Sequence, residues 1–192
     1  MKGFFKTNSS MISKMFIQQI GIAFLGFLLN SAASVSGNRS LILAFSIFSV
    51  VFYLFLIYVH IWEFGSHDKI RIEAGRMKFD PFKGLKACLI ANIPNILFAV
   101  LSLVGYLFID RSLIDDAGNL YSPKWAVALH AVAHIIGIFL QSMYNGIGTW
   151  LGIDIYPYFL FIIILPSLLT AFLGYYFGTK EKYGLFTSAP KK

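Results

Sequence analysis

The chain has 192 residues, of which 57% are apolar, 17% aromatic and only 13% charged, and its formal net charge is +7. Soluble domains average roughly 25% charged residues, so this composition excludes an ordinary soluble fold and indicates a membrane protein. The basic excess does not indicate nucleic-acid binding, because the basic residues flank apolar stretches as they do in cytoplasmic loops. A single cysteine, Cys88, excludes a disulfide framework.

Several long stretches of the chain contain no Asp, Glu, Lys or Arg: 15–38, 40–62, 87–109, 125–153 and 155–179. Each can hold a helix of about 20 residues, the length that crosses a hydrocarbon core of about 30 Å. The sequence therefore predicts an all-α, polytopic membrane bundle with about five transmembrane helices in a single domain. We place the spans at about 15–33, 41–64, 87–109, 124–144 and 157–178.

A short polar turn joins the first two spans. Ser34–Ser40 (SVSGNRS) is rich in Ser, Gly and Asn, which favour turns, so spans one and two are expected to pack antiparallel. Ahead of span one, residues 1–14 are basic and amphipathic enough to lie along lipid headgroups. Near the end of span two, His60 and Glu63 share a helical face, and Gly65 is predicted to end the helix.

A basic loop, residues 65–86, separates spans two and three. Its first part, up to Ala74, fits a short strand or a frayed helix equally well. Asp80-Pro81 is typical of a helix start, so we predict a helix from Pro81 onward. The loop holds six of the sixteen Lys and Arg residues: Lys69, Arg71, Arg76, Lys78, Lys83 and Lys86.

Span three contains a proline that must interrupt its hydrogen bonds. Pro94 cannot donate to the carbonyl of Ile90, and in lipid that carbonyl needs another partner. Asn92 and Asn95 flank the break and are its predicted suppliers. We expect a packed kink with amide bonds between helices, and a ligand or ion site is the alternative.

Span four carries a polar stripe, which will face other helices or a wet cavity rather than lipid. Its members recur at helical spacing: His130, His134, Gly137, Gln141 and Asn145. Gln141 and Asn145 form a predicted polar seam with Asn92 and Asn95. Span five is interrupted by Pro166 and ends in Gly174 and Gly178, whose spacing permits close helix approach.

The distribution of charge predicts the orientation. Basic short loops stay in the cytoplasm. The N-terminus and the basic loop are therefore placed on the cytoplasmic side of the cell membrane, and the acidic segment Asp110–Lys124 on the outer side. Five crossings would, however, leave Lys180, Lys182, Lys191 and Lys192 outside. Either the early loops dominate, which we favour, or residues 125–156 dip into the membrane and return, so that four crossings leave both termini inside.

Four residues could ligate a transition metal, although no cofactor is required by any motif. His130 and His134 lie four apart on one helical face, and His60 with Glu63 could add ligands from span two. The residues between the two span-four histidines are Ala and Val, so the general base of a His-Glu-x-x-His metalloprotease is missing. Hydrogen-bonded polar groups between helices are the expected role of these residues.

No nucleophile elbow, phosphate loop or dinucleotide motif is present, so the sequence leans away from an enzyme. We expect a non-enzymatic membrane subunit or scaffold that docks a protein partner or anionic lipid through its basic loop. A protein partner and a homo-oligomer both remain open. The alternatives are a small-molecule or ion permease component, suggested by the two proline-broken spans, and an intramembrane metal-dependent enzyme.

Overall fold

The computed structural model describes residues 2–109 and 123–180, and the side chains from residue 4 onward. Most of the predicted acidic segment and the lysines at 182, 191 and 192 lie outside the described residues. Every regular element that the structure describes is helical, in agreement with the predicted all-α class. The helices are α1 Lys2–Val35, α2 Arg39–Glu73, α3 Lys83–Ala91, α4 Ile93–Leu107, α5 Lys124–Leu140, α6 Asn145–Leu151, α7 Phe159–Ile162 and α8 Leu165–Thr179, with a 3-10 turn at Ser142–Tyr144.

Three helical segments in the described part of the chain are long and apolar enough to cross a membrane: Phe4–Val35, Arg39–Glu73 and Phe159–Thr179. Two further pairs of helices meet the same criteria together, but each pair is sharply bent. The bend is 56° between α3 and α4, and 81° between α5 and the segment Ser142–Leu151. The chain therefore has between three and five candidate membrane spans.

Helices α1 and α2 extend well beyond the predicted spans. The N-terminal residues continue α1 back to Lys2, with one non-helical residue at Asn8. Gly65 does not end α2, which runs on to Glu73, so the strand alternative for this part of the basic loop was wrong. The glycine serves close packing instead, because a Cβ at Gly65 would lie 2.6 Å from the backbone oxygen of Tyr175.

The predicted turn between α1 and α2 is present and tight. Gly37 has a φ of 65°, a left-handed conformation that glycine adopts without steric cost. The Asn38 side-chain oxygen accepts from the backbone N–H of Ser40 at 3.0 Å, which caps the start of α2. Ser46 Oγ donates to Asn30 Oδ1 at 3.2 Å, so the two helices run side by side beyond the turn.

The two proline breaks occur close to where the sequence places them. Asn92 separates α3 from α4, and Pro94 occupies the first turn of α4, where its missing N–H costs little. The Asn92 backbone N–H is directed at the Cys88 and Ile90 carbonyls, and its side-chain amide donates to the Cys88 carbonyl at 3.0 Å. Likewise α8 begins at Leu165, so Pro166 lies in its first turn.

Helix α3 begins at Lys83 rather than at Pro81, where the sequence predicts its start. An Asx turn precedes it, in which Asp80 Oδ1 accepts from the Phe82 N–H at 3.1 Å.

Where the sequence predicts one membrane domain, internal contacts group the chain into two compact units. Unit 1 comprises residues 1–21, 50–92 and 165–192, and unit 2 comprises residues 22–49 and 93–164. Within unit 1, α3 and α8 pack closely at Gly84, where a Cβ would lie 2.5 Å from the Ala171 oxygen. Within unit 2, α4 and α5 pack closely at Gly105, where a Cβ would lie 2.8 Å from the Ala126 oxygen.

Replacing Gly84 by alanine tests this packing. We expect Gly84→Ala to lower the melting temperature of the detergent-solubilised protein, because the new Cβ meets backbone and Cβ atoms of α8 that cannot yield cheaply. Gly21→Ala is the matched control, since no atom lies within 4 Å of its Cβ position. There the substitution should be neutral or stabilising by up to about 1 kcal/mol, the usual gain of alanine over glycine inside a helix. Equal melting temperatures for the two variants would refute the close α3–α8 contact.

Candidate functional site

The basic loop is divided between two helices and a connection, residues 74–82. Lys83 and Lys86 are committed to ion pairs, with Asp68 and Asp80 respectively. On the last turn of α2, Lys69 pairs with Glu73 at 3.6 Å. The two basic residues of the connection, Arg76 and Lys78, are exposed and form no ion pair with any described residue.

Two exposed aromatic residues follow these two cations in the chain. Phe79 and Phe82 are 41% and 53% exposed, although they lie within four residues of Lys78. Phe82 stacks on Phe172 of α8 with ring centroids 5.7 Å apart, and Lys180 Nζ lies 5.6 Å from the Phe79 ring centroid. Exposed aromatic rings beside uncompensated cations are typical of a surface that meets lipid headgroups. We call Arg76, Lys78, Phe79 and Phe82 the headgroup patch.

A buried charged cluster lies beside this patch in unit 1. Asp68, only 3% exposed, accepts from Lys83 Nζ at 2.5 Å and from the Tyr175 hydroxyl at 2.9 Å, both at Oδ2. Its other oxygen, Oδ1, lies 3.7 Å from the guanidinium of Arg71. Three separate elements, α2, α3 and α8, thus meet at one carboxylate.

Sequence reasoning missed this cluster because it left Asp68 in the basic loop and Lys83 on a separate helix predicted from Pro81 onward, with nothing to bring the two together. One signal was available: Asp68 follows Gly65 by three residues, so a helix that continued past Gly65 would carry both on one face. A glycine on a helix face lets a neighbouring helix approach closely. An acidic residue on the same face can then bond to that neighbouring helix. Tyr175 could be found only from the structure.

The polar stripe of span four meets α4 in unit 2. His130 Nδ1 lies 2.9 Å from the backbone oxygen of Ser102, and the Ser102 hydroxyl lies 3.1 Å and 3.2 Å from Nδ1 of His130 and His134. His134 Nε2 lies 2.8 Å from the backbone oxygen of Asp154. The histidines thus face α4 and the connection 152–158, as the stripe predicts, and Ser102 is fully buried between them.

The stripe does not continue along one helix. α5 ends at Leu140, and Gln141 adopts φ −120° and ψ 25°, so the 81° bend separates Asn145 from the histidines. Gln141 is 3% exposed, and its Oε1 accepts no hydrogen bond from a described residue. Asn145 lines a small surface cavity with Asn30, Ser34 and Ile42.

The remaining members of the polar seam are also buried. Asn92 and Asn95 are 1% and 3% exposed, but they belong to unit 1 and unit 2 respectively. Besides its bond to the Cys88 carbonyl, the Asn92 amide lies 3.4 Å from Cys88 Sγ. The seam is therefore not one continuous feature of either unit.

The four candidate metal ligands are likewise divided between the units. His60 and Glu63 belong to unit 1, and His130 and His134 belong to unit 2. Within residues 2–109 and 123–180, no three His, Cys, Asp or Glu side chains group as a metal site. His60 is 7% exposed and packs edge-on against Phe64, while Glu63 is exposed and reaches toward His67. The structure gives the metal hypothesis no support.

The bent segment after α5 is fastened to α1 and α2 inside unit 2. The Asn30 amide donates to the Ser142 carbonyl at 2.9 Å, and the Gly146 N–H donates to Ser46 Oγ at 2.8 Å. The Ser142 hydroxyl donates to the Ala23 carbonyl. A Cβ at Gly146 would lie 2.5 Å from the Ile42 oxygen, so the two backbones touch there. These bonds hold the break at Gln141 in one geometry.

No family model, curated protein or solved structure matches this chain. Its function must therefore be argued from its own residues.

The buried ion pair can be tested with two lysine variants. Lys83→Met should destabilise the protein by about 3 kcal/mol, because it leaves the buried Asp68 carboxylate with only the exposed Arg71 guanidinium as a counter-ion. Asp68→Asn in the same background should recover most of this loss, since the amide is neutral and still accepts from Tyr175. Lys86→Met removes an exposed pair and should cost below about 1 kcal/mol. Thermal or denaturant unfolding in detergent measures all three, and equal effects of the two lysine variants would contradict a buried pair.

Proposed function

We propose that this chain is a non-enzymatic membrane subunit or scaffold that crosses the bilayer four times and binds anionic lipid headgroups of the cytoplasmic leaflet through its headgroup patch. The observation that carries the proposal is the pair of exposed cations, Arg76 and Lys78, which have no carboxylate partners among the described residues and are followed in the chain by the exposed Phe79 and Phe82. Each Lys or Arg near an anionic membrane surface contributes about 1 kcal/mol.

Contacts within unit 1 support placing four parts of the chain on the same side of the membrane. These are the start of α1, the end of α2, the headgroup patch and the end of α8. Lys14 of α1 lies 5.9 Å from the Phe64 ring near the end of α2, and Lys180, after α8, lies over Phe79 of the headgroup patch. Tyr175 of α8 reaches Asp68. If the headgroup patch is cytoplasmic, the C-terminal end of α8 lies on the cytoplasmic side too, and the number of crossings is even.

Contacts within unit 2 support a re-entrant hairpin as the segment that does not cross. α5 runs antiparallel to α4, because Ala126 lies at Gly105 whereas the later His134 lies at the earlier Ser102. Its 17 residues extend about 26 Å and stop at the 81° bend. Beyond the bend, Thr149 and Trp150 line a cavity with Arg39, the first residue of α2.

This topology removes the conflict in the charge distribution. α2 has 35 residues and a length of about 52 Å, so a membrane that it crosses lies between Arg39 and Glu73. The hairpin returns to the Arg39 side, and α8 then carries the chain back to the headgroup patch. Four crossings leave Lys180, Lys182, Lys191 and Lys192 in the cytoplasm, as the positive-inside rule favours. Trp125 and Trp150, 54% and 64% exposed, begin and end the hairpin as interfacial anchors.

Cysteine labelling in intact cells tests the topology. In a Cys88→Ser background, we expect Ser36→Cys to react with a membrane-impermeant maleimide from outside. Lys78→Cys and Lys180→Cys should react only after permeabilisation. Labelling of Lys180→Cys but not Lys78→Cys in intact cells would establish an odd number of crossings and overturn the re-entrant hairpin.

Charge reversal in the headgroup patch tests lipid binding. In nanodiscs, phosphatidylglycerol should raise the melting temperature of the native chain over phosphatidylcholine alone. Arg76→Glu with Lys78→Glu should abolish that difference and weaken retention of the anionic lipid in native mass spectra by about tenfold or more. The control, Arg39→Glu with Lys124→Glu, makes the same change in net charge at the opposite end of α2 and at the start of α5. Lipid docking is wrong if the two double variants reduce lipid retention equally. It is also wrong if the headgroup-patch variant retains its lipid but loses a co-purifying protein.

A further inference from the structure

Within unit 2, a small cavity lies between the end of α1, the start of α2 and the bent segment after α5. Its volume is about 230 Å³, which is that of roughly eight molecules of liquid water. None of the described residues that line it has an ionisable side chain. Its lining combines apolar, hydroxyl and carboxamide side chains, among them Phe27, Ser31, Ser34, Ile42, Asn145 and Thr149. We call it the α1–α6 cavity.

The walls of the α1–α6 cavity are held in place by contacts already made within unit 2. Asn30 and Ser46 bond to the bent segment, and a Cβ at Gly146 would lie 2.5 Å from the Ile42 oxygen. Helix α6 cannot move away from α1 and α2 without losing these contacts. A ligand would therefore enter a cavity that is already formed, which avoids the entropic cost of ordering one on binding.

The polar side chains of the cavity offer both donors and acceptors to a ligand. The Asn145 carboxamide and the Ser31 hydroxyl make no hydrogen bond to a described residue, so each can both donate and accept. Ser34 Oγ donates to a backbone carbonyl of α1 at 2.8 Å, and Thr149 Oγ1 donates to Asp154 Oδ2 at 3.1 Å. These two hydroxyls therefore have only lone pairs left to offer.

This mixture of donors and acceptors favours a ligand with several hydroxyl groups. A hydroxyl donates and accepts at once, so neighbouring hydroxyls can match all four side chains. A phosphate or carboxylate only accepts, and it would leave the lone pairs of Ser34 and Thr149 unmatched. An ammonium group only donates, and it would leave the carboxamide N–H groups of Asn145 unmatched.

The charges near the cavity do not favour an ion of either sign. Arg39 lines an adjoining cavity that shares Ile42, Gly146 and Thr149 with this one, and the Asp154 carboxylate is bonded to Thr149. The two charges are opposite, and neither side chain lines the α1–α6 cavity. The site therefore suits a neutral group.

We propose that the α1–α6 cavity binds one neutral sugar ring, either the headgroup of a glycolipid or a free sugar. The volume has room for a single six-membered ring. Phe27, 43% exposed, presents an apolar face to the C–H groups of that ring. Phe27 lies about 10 Å along α1 from Ser34, so a headgroup can enter while its acyl chains stay in the bilayer. The site is independent of the proposed docking of anionic lipid, which uses residues of unit 1.

Sugar binding is tested on the full chain, purified without glycoside or maltoside detergents because these carry the proposed ligand. In phosphatidylcholine nanodiscs, native mass spectra should show retention of monoglucosyl diacylglycerol but not of diacylglycerol, which lacks the sugar. Methyl glucoside, added to nanodiscs without glycolipid, tests a free sugar by saturation-transfer-difference NMR. Retention of the glycolipid alone supports a lipid headgroup as ligand, and signals from methyl glucoside support a free sugar. Absence of both would overturn the proposal.

Two variants with matched controls locate the bound sugar. Asn145→Leu keeps the side-chain volume but removes the carboxamide, so sugar binding should fall about tenfold or more. Gln18→Leu, its control, makes the same change in unit 1, at a carboxamide oxygen without a partner among the described residues. Ser31→Leu adds bulk to the cavity from an exposed position and should abolish binding, whereas Ser10→Leu, exposed on the same helix, should not.

The variants also separate sugar binding from the docking of anionic lipid. Sugar binding that is equal in the cavity variants and their controls would overturn the proposal, as would binding of inorganic phosphate in place of methyl glucoside. Should Asn145→Leu fail to fold, Ser31→Leu still tests the cavity, because its side chain is exposed. The stabilisation by phosphatidylglycerol should persist in Ser31→Leu, since it depends on the headgroup patch.

Discussion

The carboxylate of Asp68 is the constraint on which the arrangement of unit 1 depends. A charge buried this deeply must be paired, because moving an ion out of water costs several kcal/mol even after relaxation. Lys83 and Tyr175 provide the pairing from α3 and α8, so α2 cannot place Asp68 without both partners. Such a pair contributes little net stability over apolar packing but penalises any arrangement that separates its members. It therefore specifies where α3 and the end of α8 lie, and the close contacts at Gly65 and Gly84 follow from that position.

The pairing of Asp68 also explains why few of the basic residues in the basic loop remain free to form the headgroup patch. Of the six basic residues in the basic loop, Lys83 is committed to the buried carboxylate and Lys86 to Asp80. Asp80 also caps the turn that leads into α3. The cations that remain for an external partner are concentrated on the short connection, next to rings that α8 supports. A count of basic residues alone would overestimate the charge available for binding.

The sequence predicts the helices well and their ends poorly. Charge-free stretches identify apolar helices because the cost of charge in lipid is independent of the tertiary fold. Helix ends depend on tertiary contacts: Gly65 looks like a terminator, yet α2 continues because the missing Cβ admits Tyr175. The bend at Gln141 was equally hidden, since the polar spacing of the stripe continues through it. The structure shows the turn as an 81° bend, and bonds to Asn30 and Ser46 hold it.

For the candidate sites, the periodicity of span four identified His130 and His134 as inward-facing, but it could not choose between metal ligation and hydrogen bonding. The structure distinguishes these roles by the partners of each nitrogen. Ring nitrogens directed at carbonyl oxygens must carry protons and cannot also ligate a metal. Only His130 Nε2 and His134 Nδ1 retain lone pairs, and the latter faces Ser102. One free nitrogen with no second ligand does not make a metal site, because a metal site needs several ligands.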